Sequence, residues 1–245
     1  MSPLPCRFAR CFRPVFSRLL PVCRLRQAPQ RAAGWPALLG LLLITFCAAC
    51  KPKPPTGGAV LFSDAFDRAA DSEWGSDYRN TAPPGVYRLD GGALAVRGAF
   101  NHPLWLTREL PSDVVVELDA WSDSPEGDIK VELFGDGQSF AQSVSYTSTG
   151  YVFIHGGWKN SLSALCRQDE HAADRRVRND IKVVPGTRYH YQIARRGSRI
   201  EWFINGELAL ELDDPAPLQG PGHRFFGFNN WQTPVHFDNL RVKAL

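Results

Sequence analysis

The densest run of chemistry-bearing side chains is Ile154-His155-Gly156-Gly157-Trp158-Lys159-Asn160, followed by Arg167-Gln168-Asp169-Glu170-His171. A second run is Gly222-His223-Arg224, with Phe228-Asn229-Asn230-Trp231 close behind it. A sugar presents apolar CH faces and rings of hydroxyls, so a site for one pairs flat aromatic rings with amides, guanidinium groups and carboxylates. Trp158 and Trp231 are therefore candidates for stacking, and Asn160, Arg167, Asn229 and Asn230 for reading hydroxyls. Trp121 and Trp202 lie in alternating apolar stretches and read as core or sheet-face residues. Trp158, beside two glycines and a lysine, reads as the exposed one.

Glu170 and His171 have the types of an acid/base pair, with His223 as a possible third member. The competing reading is a loop pinned by ion pairs to Arg175, Arg176 and Arg178. Zinc-type His/Cys spacing, a phosphate-cradling glycine loop and a nucleophile elbow are all missing from the sequence.

These residues need elements to position them, and the pattern from Val60 onward is β throughout. Val114, Val116, Leu118 and Ala120 alternate with Val115, Glu117, Asp119 and Trp121, which is period two with one mostly apolar face. Tyr189–Ile193 repeats the alternation, and Arg-Arg-Gly-Ser then turns the chain into Ile200–Ile204. Asn205-Gly206 follows, a strong two-residue hairpin signal because both central positions want positive φ. Leu208, Leu210 and Leu212 are then expected on one face. Asp90-Gly91-Gly92 joins Val86–Leu89 to Ala93–Val96 in the same way. A short helical turn is expected near Asp169–Arg175, inside a long break from Ser161 to Asp180. About twelve to fourteen short strands with polar turns predict one antiparallel two-sheet sandwich over residues 59–245.

The chain resembles the concanavalin A-like lectin/glucanase superfamily, including its laminin-G-like and 3-keto-disaccharide-hydrolase-like members. The residues that carry the likeness are Leu61–Phe66, Leu89–Leu94, Ile200–Gly206 and Val235–Val242. The resemblance implies an all-β, two-sheet antiparallel jelly roll with the first and last strands side by side. It implies a glycan ligand, with a glycan hydrolase or lyase, or a non-catalytic protein-interaction module, as alternatives. It also implies a structural Ca²⁺ near Asp64, Asp67 and Asp238, since an Asp on the last strand often ligates calcium in related folds. Family-16 glycoside hydrolases share this fold and place carboxylates at alternate positions of one strand. The nearest stretch here, Asp128-Ile129-Lys130-Val131-Glu132, separates its two acids by four residues, about 13 Å along a strand. That is far beyond the roughly 5 Å of a retaining pair.

Residues 1–49 differ from the rest of the chain. Residues 1–50 hold seven of the 28 basic side chains and no acid, so the remainder is net acidic despite an overall charge of +3. That balance argues against a nucleic-acid partner. The apolar run 37–49 has the length of a signal-peptide core and ends in Cys47-Ala48-Ala49-Cys50, which resembles the lipobox of bacterial lipoproteins. Cys47 stands where Leu is usual. The expectation is a signal peptide over 1–49 with an unusually long basic region and a start that belongs further along. Cys50 is then lipidated (palmitate-type acylation) and residues 50–58 form a Pro-rich tether. The implied location is the cell envelope, at the outer membrane, because Lys51 is not the Asp that retains lipoproteins at the inner one. Cys166 is the one cysteine beyond residue 50 and reads as a small apolar filler.

Overall fold

A computed structural model describes residues 51–69, 74–143 and 146–245. The signal-peptide and Cys50 readings lie outside the described residues. The described residues from 51 to 245 belong to one compact unit.

Fifteen strands are found among the described residues. They are β1 Val60–Asp64, β2 Tyr78–Asn80, β3 Tyr87–Asp90, β4 Ala93–Val96, β5 Leu104–Leu106, β6 Val114–Ser122, β7 Ile129–Gly135 and β8 Tyr151–Gly156. The chain continues with β9 Leu162–Arg167, β10 Arg176–Arg178, β11 Tyr189–Arg196, β12 Arg199–Ile204, β13 Glu207–Asp213, β14 Phe225–Asn229 and β15 Val235–Ala244. They pair antiparallel in two sheets. One runs β13-β12-β11-β6-β15-β4-β3, with β1 added on β15, and the other runs β10-β9-β8-β7-β14-β5-β2. The first and last strands are neighbours, Asp64 opposite Leu240.

Alternation builds the core. Val114, Val116, Leu118 and Ala120 of β6 meet Ile129, Val131 and Leu133 of β7 in one buried cluster with Phe153, Trp202, Phe228 and Phe237. At about 25 cal/mol per Å² of apolar surface, this inter-sheet layer is the dominant stabilising term. The hairpin at Asn205-Gly206 forms with both residues at positive φ, and Gly91-Gly92 does the same between β3 and β4. The expected β13 alternation breaks, however. The register shifts between Trp202 and Phe203, so Phe203 faces Leu208 and Trp202 faces Leu210, and Ala209 is buried beside Leu210. That is a bulge, which places two residues against one.

The 161–180 segment also departs from expectation. It contains β9, β10 and a turn over 168–175 in place of a helical turn. Arg176–Arg178 lacks an apolar alternation because β10 is an edge strand, where charge blunts further pairing. Lys51 of the Pro-rich segment reaches Glu207 at 3.1 Å, and Gly58 donates to the Ala244 carbonyl. This segment therefore lies against the sandwich.

Candidate functional site

The face of the second sheet turned away from the core carries Lys130 and Glu132 of β7, Val152 and Ile154 of β8, and Ala164 and Cys166 of β9. The four apolar residues form a small buried cluster of their own. Most of this face is covered. Ser148 and Tyr146 sit over Glu132, the Trp105 indole donates to the Ser139 carbonyl, and Cys166 approaches the Glu170 carbonyl. At the Lys130 end a cleft of about 500 Å³ stays open, lined by Asp128, Lys130, Trp158, Glu170, His171 and Trp231 among others.

A strained turn and the β14–β15 connection present its two tryptophans. Gly156, Trp158, Lys159 and Asn160 all have left-handed φ. For L-residues other than glycine each such position costs on the order of 1 kcal/mol. The Asn160 side chain compensates: its amide donates to the Val183 and Pro125 carbonyls at 2.7 and 3.1 Å, and its oxygen accepts from Val183 N–H at 2.9 Å. A Cβ on Gly156 would sit 2.5 Å from Asn160 Oδ1, so only glycine fits there. The turn leaves Trp158 36% exposed. Its ring meets His171 edge-on at 5.7 Å and lies under the Arg175 guanidinium at 5.0 Å.

Opposite, the β14–β15 connection carries Trp231. Its N–H donates to Asp128 Oδ2 at 2.6 Å, and its ring meets Phe100 edge-on at 5.0 Å. Asn230 holds this connection through Ala99 N–H and the Thr233 carbonyl. Gly127 brings the β6–β7 loop in closely: a Cβ there would lie 2.5 Å from the Gly156 oxygen.

The floor is a buried charge network. Lys130, 3% exposed, donates to Glu170 Oε2 at 2.7 Å and to Asn101 Oδ1 at 2.8 Å. Burial by itself would lower the ammonium pKa, but Glu170 and then Asp128 more than offset it and hold Lys130 above the usual lysine value. Burial raises the Asp128 carboxyl, partly countered by Lys130 and by the Trp231 N–H. It raises Glu132 too, against hydrogen bonds from Ser148 and Asn229.

The sequence candidates separate on this frame. Trp158, Trp231, Glu170 and His171 come together at the cleft. The amides of Asn160, Asn229 and Asn230 are engaged within the protein, with Val183, Glu132 and the 230–233 turn. Arg167 is turned to Asp214 at 2.9 Å and to the Ala216 carbonyl. His223 is not brought to Glu170. Its Nδ1 bonds the Thr149 carbonyl, and Arg224 pairs with Gly135 at the far end of β7, roughly 17 Å along the strand from Lys130. Asp64 takes a bidentate contact from Arg68 and a bond from the Tyr78 hydroxyl. Asp238 pairs with Arg188 at 2.6 Å. Among the described residues no group of three or more His, Cys, Asp or Glu is arranged to hold a metal ion. Trp202 is core, and Trp121 lies on a sheet face, stacked on His236 at 4.9 Å. Sequence reading passed over Lys130, Asn101 and Phe100 as site residues. Lys130 was legible only as the residue between two acids, and Asn101 and Phe100 reach the site through tertiary contacts alone.

No protein-family model matches this sequence, and no curated relative matches it. Solved structures do match the fold. The carbohydrate-binding module CBM66 from Bacillus subtilis superposes with a TM-score of 0.52 at 15% identity, over 69% of this chain and 96% of that one. SCLam, a non-specific endo-beta-1,3(4)-glucanase from family GH16, gives 0.55 at 11% identity over 78% and 93%. The laminarinase from Flavobacterium sp. UMI-01 gives 0.55 at 7% identity over 76% and 100%. At such identities the likeness establishes the fold: a concanavalin A-like, two-sheet jelly roll.

Proposed function

We propose that this sandwich binds carbohydrate in the cleft between Trp158 and Trp231. The observation that carries the reading is two tryptophans lining one cleft whose floor is buried, mutually paired ions. Rings stack on the CH face of a sugar, while Asp128, Glu170 and Lys130 offer acceptors and a donor to its hydroxyls. The cover over Glu132, Trp105 and Cys166 leaves the face open at one end, which suits a short glycan or the end of a longer one. The carbohydrate-binding and glycan-cleaving jelly rolls among the similar structures support the same ligand class. A glycan-array screen followed by calorimetry tests it. Trp158→Ala and Trp231→Ala are each expected to weaken binding about tenfold or more with the circular dichroism unchanged. Full affinity in both variants sinks the proposal.

Binding without turnover is the form we favour. Asp128 and Glu132 lie four residues apart, about 13 Å along a strand, with Lys130 between them, and Glu132 is sealed in hydrogen bonds, so these two acids are not spaced as a retaining pair. Oligosaccharide cleavage abolished by Glu170→Gln overturns this. The proposal extends to a lipid anchor at Cys50, holding the domain at the envelope and by the Lys51 rule at the outer membrane. Metabolic palmitate labelling is the check: label is expected on the wild type, and label that survives Cys50→Ala rejects the anchor.

A further inference from the structure

We infer a second ligand site, remote from the cleft, that takes a small oxyanion in the pocket lined by Arg195, Arg224 and His223. The pocket measures about 440 Å³ and lies beside Phe134, between residues 109–112 and 219–224. Its distinguishing group is Arg195 of β11, which is only 1% exposed. Two of its five N–H groups are used, Nε on the Gly197 carbonyl at 3.0 Å and Nη1 on the Leu218 carbonyl at 2.6 Å. Its guanidinium lies over the Phe134 ring at 4.2 Å. Among the described residues no carboxylate comes within ion-pair distance of it.

Buried cations are normally paired, because an uncompensated charge out of water is costly. Lys130, the other buried Lys or Arg among the described residues, obeys that rule through Glu170 at 2.7 Å. Arg195 does not. The nearest acids are committed elsewhere: Asp113 accepts from Gly197 N–H, and Asp214 is held by Arg167 and Tyr151. Burial pulls the Arg195 pKa below the usual guanidinium value, with Tyr151, Asp113 and Asp214 giving only partial compensation.

Around this fork the pocket gathers further polar groups. Arg224 is half-exposed and paired with Glu109 at 2.8 Å. His223 donates Nδ1–H to the Thr149 carbonyl, so Nε2 of the neutral ring is an acceptor. Ser112, Gln219 and the carboxylate of Glu109 also line it, with Leu110, Pro111 and Gly220. A planar guanidinium matches two oxygens of one phosphate, sulfate or carboxylate group, so the ligand class is a small oxyanion or an anionic substituent on a sugar. This site does not depend on the cleft binding carbohydrate.

The test titrates sodium phosphate, sodium sulfate and sodium glucuronate into the purified protein, against sodium chloride at matched ionic strength. Melting temperature and calorimetry are the readouts. A saturable rise with at least one oxyanion is expected, and the three arms separate an inorganic anion from a sugar carboxylate. Arg195→Met is expected to abolish the effect and Arg224→Gln to weaken it about tenfold. A response no larger than that to chloride overturns the site, as does unchanged affinity in Arg224→Gln and Arg195→Met. Should Arg195→Met not fold, Arg224→Gln combined with His223→Gln decides, and full affinity in that double variant again overturns the proposal.

Discussion

Lys130 stands where a strand of alternating acids would put its middle carboxylate, and this one substitution of type changes what the floor can do. Its ammonium ties Glu170 and Asn101 together and lies close enough to Asp128 to lower that group's otherwise raised pKa. Glu132, two residues on, is sealed from solvent and receives Asn229 at 2.7 Å. Burial raises its pKa, so the folded protein holds this proton more tightly than the unfolded chain does. The stability tied to that proton is full at acid pH. It is lost as pH rises from the ordinary carboxylate range through the raised value. Glu132→Gln keeps the shape and removes the titration. The variant is expected to exceed wild type by about 1–2 kcal/mol at neutral pH, with the difference fading toward acid. Melting temperatures measured across pH check this, and a pH-independent difference rejects it.

At the scale of elements, the left-handed turn at Gly156–Asn160 shows why candidate residues fell into two groups. Its sequence reads as an exposed polar-aromatic cluster, which correctly placed Trp158. The same cluster made Asn160 look like a ligand reader, when its amide is consumed in holding the strained backbone. Asn160→Ala loses three hydrogen bonds and is expected to cost about 1–3 kcal/mol while also weakening glycan binding, because Trp158 loses its fixed position. Trp158→Ala, by contrast, should lower affinity with little change in melting temperature. Thermal melts beside calorimetry separate the two roles, and equal stability in both variants contradicts the positioning role. Hairpins were legible for a local reason: Asn205-Gly206 and Gly91-Gly92 encode positive φ by themselves. The bulge at Trp202/Phe203 and the edge strand Arg176–Arg178 were not, since each depends on the strand alongside.

For the molecule as a whole, β1 and β15 close the fold side by side, as the resemblance implied, and bring Asp64 and Asp238 onto neighbouring strands. Calcium at Asp64, Asp67 and Asp238 would compete with Arg68 and Arg188, which already neutralise two of the carboxylates. EDTA is expected to leave the melting temperature unmoved, and a drop of several degrees would restore the ion. The sequence by itself determined the sandwich and the turns of its hairpins, because period-two alternation and positive-φ turn residues act over a few neighbours. It also marked Trp158, Trp231, Glu170 and His171. The tertiary structure alone decided that these four meet over Lys130, that the amides of Asn160 and Asn230 hold backbone while that of Asn229 holds Glu132, and that His223 belongs with Arg195 at the other end of β7. Those outcomes depend on which strands pair and on which loop covers which face, and residues far apart in the chain settle both.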